Sequence, residues 1–177
     1  MRFALYLALL VSLVLMGCSN KPSLQHYFVD HAEKKDFIAF DLSSSILNTD
    51  KATLTAEQKE ALKSFDKMNV LAFKMDKNNE ATYKAESQKV ASILKGEPYQ
   101  ELMKIGSGSD GASLQIVGDG KQIDEFVFFA KRKTNGFAVV RILGHDMNPT
   151  KIVNLISVLQ NSDLNMDQLK PLQSLLH

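Results

Sequence analysis

The chain has 177 residues, 45% of them hydrophobic, with 21 Lys plus Arg against 20 Asp plus Glu. That length suits one domain able to bury a core without covalent staples, and the single cysteine excludes an internal disulfide. Basic and acidic residues are interspersed, which excludes the concentrated basic face that a phosphate backbone requires, so no nucleic-acid partner is expected.

In chain order, Arg2 precedes an apolar run from Phe3 to Met16 that ends in Leu15-Met16-Gly17-Cys18. Crossing roughly 30 Å of hydrocarbon takes about 20 residues, so this shorter run fits the apolar region of a secretion signal better than a membrane span. A secretory cut elsewhere and a buried N-terminal helix are the other readings. The run's end resembles a bacterial lipobox. That resemblance implies cleavage between Gly17 and Cys18, a diacylglyceryl group on the Cys18 thiol and acylation of its new amino group. Two or more chains hold a protein firmly to a membrane, so lipid on Cys18 is the expected membrane partner. No acidic residue follows in Ser19-Asn20-Lys21-Pro22. By resemblance to lipoprotein sorting signals this points to the periplasmic face of the outer membrane, with the inner membrane and the cell surface as alternatives. The expected organisation is a signal peptide over 1–17, a lipidated cysteine and tether over 18–35, and one domain over 36–177.

Asp36 to Leu42 reads as a strand covered on both sides. Thr55 with Gln58 forms a capping box for a helix running to about Met68, whose apolar face is Ala61, Leu62, Phe65 and Met68. Asn69 to Met75 is a second short strand. Residues 79–95 form a helix that Gly96 stops, and Pro98 opens a short helix with Tyr99, Leu102, Met103 and Ile105 as its stripe. After a flexible Gly106–Gly111 loop come three strands, Ala112–Val117, Asp124–Lys133 and Phe137–Leu143. They are separated by Gly118-Asp119-Gly120 and by Thr134-Asn135-Gly136, whose Asn-Gly pair signals a hairpin. Asn148 caps a helix with Pro149 at its first position, and a last helix starts near Met166. The predicted fold is α+β. It has a mixed sheet of about five strands, three of them a C-terminal antiparallel meander, with helices mainly on one face. A parallel pairing of the first two strands through a right-handed crossover is one arrangement the capped helix between them allows, and strand order does not follow from the sequence.

The stretch from Tyr99 to Leu159, which contains YQELMKI, GASLQIVGDGKQIDEFVFFAK and GFAVVRILGHDMNPTKIVNLI, resembles an uncharacterised Bacteroidetes family catalogued as domain of unknown function 4252. The resemblance rests on Glu101-Leu102-Met103, the three-strand meander, and Gly144 followed by the Asx cap Asn148. It implies a small secreted or lipid-anchored protein and carries over no catalytic or binding residue.

The remaining residues offer several candidate sites. Gly106-Ser107-Gly108-Ser109-Asp110-Gly111 spells a G-x-G-x-x-G, but a dinucleotide fingerprint follows a strand and opens a helix. Here a helix is expected before it and a strand after, so no cofactor is assigned. His26, Asp30, His31 and Glu33 are a candidate metal set on one helical turn, with solvation of a tether as the alternative. His145-Asp146 follows the last strand, where functional loops often lie, yet no nucleophile accompanies it. Asp124-Glu125 either forms an acidic patch or keeps a strand terminus soluble. Phe126 to Ala130 reads as a central strand packed on both sides, with a ligand cavity or partner edge as the alternative. With Cys18 as the site of lipidation and no catalytic constellation, the expectation is a non-catalytic binding or regulatory module of the cell envelope, with an envelope protein as a possible partner. A structural or assembly accessory role, or a periplasmic enzyme, are the alternatives.

Overall fold

A computed structural model describes residues 22–46, 54–108, 110–119 and 122–161. The apolar N-terminal run, Gly17, Cys18 and the helix expected from Met166 lie outside the described residues. Helix α1 (Leu24–His31) opens on Ser23, whose hydroxyl accepts from the His26 amide at 3.2 Å. It leads into β1 (Phe37–Ser43) and a short 3-10 turn at Ser44–Ile46. Helix α2 (Ala56–Ser64) carries the expected capping box, with the Gln58 amide donating to Thr55 Oγ1 at 3.2 Å and the Thr55 amide donating to Gln58 Oε1 at 2.9 Å. Strand β2 (Phe65–Lys74), helix α3 (Glu80–Ile93) and strand β3 (Gln100–Ser107) follow. The chain then builds β4 (Asp110–Gly118), β5 (Ile123–Arg132), β6 (Gly136–Met147) and α4 (Pro149–Asn161), which the Asn148 side chain caps by accepting from the Lys151 amide.

The domain is α+β, and the six described strands form one sheet in the order β1-β2-β6-β5-β4-β3, antiparallel throughout. This corrects the five-stranded mixed sheet. The parallel crossover fails because the chain between β1 and β2 returns to the end it left, pairing Ser43 with Lys67. Helix α2 stops at Ser64 rather than near Met68, since Phe65 already has extended backbone and starts β2. The expected helix after Pro98 is instead edge strand β3. Its bulge between Glu101 and Met103 breaks the two-residue alternation and leaves apolar residues at helix-like spacing. The β4-β5-β6 meander stands as expected.

Helices cover both faces rather than mainly one. Leu24 and Tyr27 of α1 and Tyr83, Val90 and Ile93 of α3 pack with Leu71, Phe73, Val127, Phe129, Phe137 and Val139. Ala61 of α2 and Ile152 and Leu155 of α4 pack with Leu42, Ile116, Phe126 and Ile142. Side chains alternate along a strand, so Phe128 and Phe129 serve opposite cores and β5 is the doubly packed strand expected.

Two glycines are fixed by close approach. A Cβ on Gly136 would meet the Phe73 carbonyl oxygen at 1.9 Å, and one on Gly144 the Ser64 oxygen at 2.0 Å. Gly136 has φ 120, while Asn135 does not take the left-handed conformation that a two-residue Asn-Gly turn demands. Residues 133–135 therefore form the loop, and the glycine is needed for β2 to lie against β6.

Candidate functional site

Residues 24–31 are a helix built into the core, which corrects the tether reading of that stretch. Its turn places Leu24, Tyr27 and His31 inward while His26 and Asp30 face outward. Of the four metal candidates, His31 is thus turned away from His26 and Asp30, and Glu33 is exposed beyond the helix; no group of three metal-ligating side chains occurs among the described residues. His31 is buried and stacks on Tyr27 at 4.0 Å. Its Nδ1 is 2.7 Å from the Tyr27 carbonyl oxygen. Its Nε2 stands 3.2 Å from Glu86 Oε2, near enough for an ion pair but too poorly aligned for a hydrogen bond. The Tyr27 hydroxyl donates to the same Glu86 oxygen at 2.8 Å. Burial first, then the hydrogen bond and charge of Glu86, push the Tyr27 hydroxyl far above its ordinary value. Burial raises the Glu86 carboxyl, but the Tyr27 hydrogen bond and the charges of His31 and Lys89 outweigh it and hold the group low. These groups clasp α1 to α3.

The Asp124-Glu125 pair divides. Asp124 is exposed, but Glu125 is buried and takes a two-pronged ion pair from Arg141, Nε to Oε1 at 2.6 Å and Nη2 to Oε2 at 3.0 Å. The Arg141 guanidinium also donates to Gln25 Oε1 at 2.9 Å and lies over the Phe28 ring. Such a fork suits a carboxylate geometrically, and it ties α1 to the sheet.

At the other end, His145 Nδ1 lies 3.4 Å from Asp66 Oδ1, both side chains about three-fifths exposed. Asp146 is held elsewhere: it has φ 49 and its carbonyl accepts from Lys151 Nζ at 2.8 Å. The pair therefore does not act together. Within the glycine-rich hexapeptide, Gly106 pairs with Gly111 and Ser107 with Asp110 where β3 meets β4, with Gly106 at φ 75 and Gly108 at φ 66. A strand rather than a helix follows it, so no helix N-terminus is present to meet a pyrophosphate.

The hexapeptide closes one end of an open groove of ≈ 240 Å³ between the C-terminal end of α3 and the β3-β4-β5 surface. Ala91 and Leu94 form the helical wall, and Phe129 and Gln115 belong to the sheet side. The register places Gln115 beside Val127 on one side and Glu101 on the other, and Ser113 beside Phe129. Gln115 is only 3% exposed. Its Nε2 donates to Ser113 Oγ at 2.9 Å, and its Oε1 has no partner. If the amide is turned over, Oε1 meets Ser113 and the nitrogen is left unmatched instead. A buried polar atom without a partner costs about 1–3 kcal/mol. Lys95, Lys104 and Lys131 also line the groove against the one acid Glu101, and none of the three is ion-paired among the described residues.

Of the groove residues, Phe129 lies in the Phe126–Ala130 run for which a ligand cavity was one reading, and Gly106, Gly108 and Gly111 belong to the glycine-rich hexapeptide; Ser113, Gln115 and the three lysines were not singled out from sequence. The signal was present in the alternation Ser113-Leu114-Gln115-Ile116, which sets two polar side chains on one face of a strand. Such a pattern ordinarily means a solvated face. Only the helix α3 above it makes Gln115 an interior group.

The model of the family described as Domain of unknown function (DUF4252) matches residues 27–155, from α1 into α4, and the chain belongs to that family. No curated protein and no solved structure matches the chain. Among the described residues no helix is long and apolar enough to cross a membrane.

Proposed function

We propose that this chain is a lipid-anchored protein of the bacterial cell envelope, held through Cys18 at the periplasmic face of the outer membrane, that works as a non-catalytic binding module. The groove beside β3 carries the binding part of this reading: it joins an open, mostly apolar cleft with three lysines that have no acidic partner among the described residues. A concave, mostly apolar site with a few placed polar groups is what small-ligand recognition uses. The Leu-Met-Gly-Cys sequence at residues 15–18 supports the anchor.

The anchor is tested by intact mass of the membrane-extracted protein against Cys18→Ala, followed by fractionation and protease treatment of whole cells. The expected result is a lipid mass increment lost in the variant, with the domain protected from protease. An unmodified chain free of the membrane fraction would overturn the anchored reading.

A second reading, an assembly accessory protein, is favoured by one observation. Edge strand β3 leaves Leu102, Met103 and Ile105 between 49% and 60% exposed, and an apolar edge is a natural template for strand addition.

A further inference from the structure

We infer that edge strand β3 is the part of the domain that lies on the membrane, its exposed apolar side chains entering the interface of an anionic bilayer while the lysines beside them meet the headgroups. The inference rests on the lipid-anchored reading of Cys18 and adds to it the orientation of the domain.

The link between lipid and domain is short. Helix α1 belongs to the core and begins at Leu24, so only Ser19 to Ser23 separate a lipidated Cys18 from the folded domain. Whatever path they take, six residue steps span at most about 22 Å. The link ends beside β3: the Leu24 amide donates to the Tyr99 hydroxyl at 3.4 Å, and Tyr99 directly precedes the strand. Leu102 follows within roughly 10 Å along an extended chain. The other edge of the sheet, β1, is five strand spacings from β3, or about 24 Å. A domain held this closely beside one edge has that edge at the bilayer and the opposite edge clear of it.

The two edges differ in the way this orientation requires. Among the described residues, Leu102, Met103 and Ile105 of β3 are exposed large apolar side chains, and β1 has none. Cross-strand partners share a face of the sheet. Met103 pairs with Leu114 and Ile105 with Ala112, on the face of the aliphatic core, and the bulge adds Leu102 between Glu101 and Met103. Lys104 pairs with Ser113 and Glu101 with Gln115 on the opposite face, where Lys95 and Lys131 also line the groove. The strand is therefore apolar on one face and mainly basic on the other. At a lipid interface, apolar side chains enter the acyl boundary and lysine stems keep their charge among the headgroups. Lys95, Lys104 and Lys131 have no acidic partner among the described residues, and anionic lipid supplies the counter-charge. Neither the apolar residues nor the lysines specify a bilayer alone. The short link is what brings one within reach of both.

The acyl chains hold the protein to a vesicle in any orientation, so the test reads depth rather than binding. It is fluorescence quenching of the lipidated protein in vesicles of phosphatidylethanolamine and phosphatidylglycerol that carry brominated acyl chains. The chain has no tryptophan, so one introduced at a time reports alone. Leu102→Trp and Ile105→Trp probe β3, and Ala39→Trp probes an exposed position on β1. The lipid mass increment and circular dichroism establish that each variant is anchored and folded. The expected result is a blue shift and quenching at both β3 positions, several-fold stronger than at Ala39→Trp. Leu102→Glu together with Met103→Glu is expected to abolish the quenching of Ile105→Trp with the mass increment unchanged.

Replacing Lys95, Lys104 and Lys131 by Gln together is expected to remove the extra quenching that phosphatidylglycerol gives over phosphatidylethanolamine alone, as is high salt. Identical quenching in the two lipids with the lysines intact would overturn the anionic part of the contact. Equal quenching at both edges, or none at either, in lipidated and folded protein would overturn the docking face and leave the anchor standing. Shielding of the β3 probes from lipid that grows with protein concentration would assign the edge to a second copy and overturn it as well. A chain without lipid would overturn the anchored reading and this orientation with it.

Discussion

The two faces of the sheet are built from different materials. Under α1 and α3 the core is a run of rings, with Phe73 5.1 Å from Phe37 and 5.5 Å from Phe137, and it holds the buried Glu125–Arg141 pair and the His31–Glu86–Tyr27 clasp. Under α2 and α4 the core is largely aliphatic, with Phe65 and Phe126 as its buried rings. The buried charged residues Glu125 and Arg141 both lie on the first face. The contrast teaches that the two faces do different work. The aliphatic face is held mainly by apolar volume, with a link from Gln58 Nε2 to Ser157 Oγ at 3.4 Å between α2 and α4, whereas on the ring face α1 is fixed to α3 and to the sheet by buried polar contacts.

The comparison breaks most visibly under truncation of rings. Phe73→Ala is expected to cost about 5 kcal/mol and Phe126→Ala about 3 kcal/mol, because large-to-small core changes cost about 3–5 kcal/mol and ring pairs add about 0.5–1.5 kcal/mol each. Denaturant unfolding measures both, and equal losses would erase the proposed difference. Arg141→Leu, which strands Glu125 in the interior, is expected to cost about 3 kcal/mol or more. Adding Glu125→Leu should restore most of it, since an apolar pair replaces the ions; a double variant as weak as the single would show the fork itself to be stabilising.

The pH profile sharpens the contrast further. Glu86 has a folded value below the ordinary 4.5, so its contribution is present above that value and fades as the pH falls through the folded one. Tyr27 is raised above the ordinary 10.0, so its contribution is present below pH 10 and declines as the pH rises beyond it. Urea midpoints should therefore hold between those limits and fall outside them. Tyr27→Phe should flatten the alkaline arm and Phe126→Leu should leave both arms unchanged. On the aliphatic side, Thr55→Ala removes the α2 cap and is expected to cost about 1 kcal/mol, read as a small drop in Tm.

Much of this architecture was legible where local chemistry and tertiary packing agree. The Thr55–Gln58 box, the Asn148-Pro149 helix start and the β4-β5-β6 meander are all local signals, and all are present. Strand β3 was not legible, because its bulge shifts one residue and turns a strand's alternation into a helix-like stripe. Helix α1 was missed because its eight residues are half polar and follow Ser19-Asn20-Lys21-Pro22, so that they look like solvated chain. Only Phe37 and α3 show why Leu24, Tyr27 and His31 must turn inward. Glu125 read as a surface acid for a related reason: its partner Arg141 lies sixteen residues on, across a hairpin. The family resemblance, by contrast, was visible in strand and cap pattern and extends over residues 27–155.

The central place of β6 in the sheet governs when the molecule can form. It is the strand that joins β2 to β5, pairing Phe65 with Gly144 and Ile142 with Phe126, so the N-terminal hairpin and the C-terminal strands have no backbone bonds to each other without it. Neither core closes before residues near 147 are available, and the decisive contacts span long stretches of chain, a topology that folds slowly. A chain emerging N-terminus first therefore stays open until almost the whole domain has come through, which makes assembly a late, concerted event.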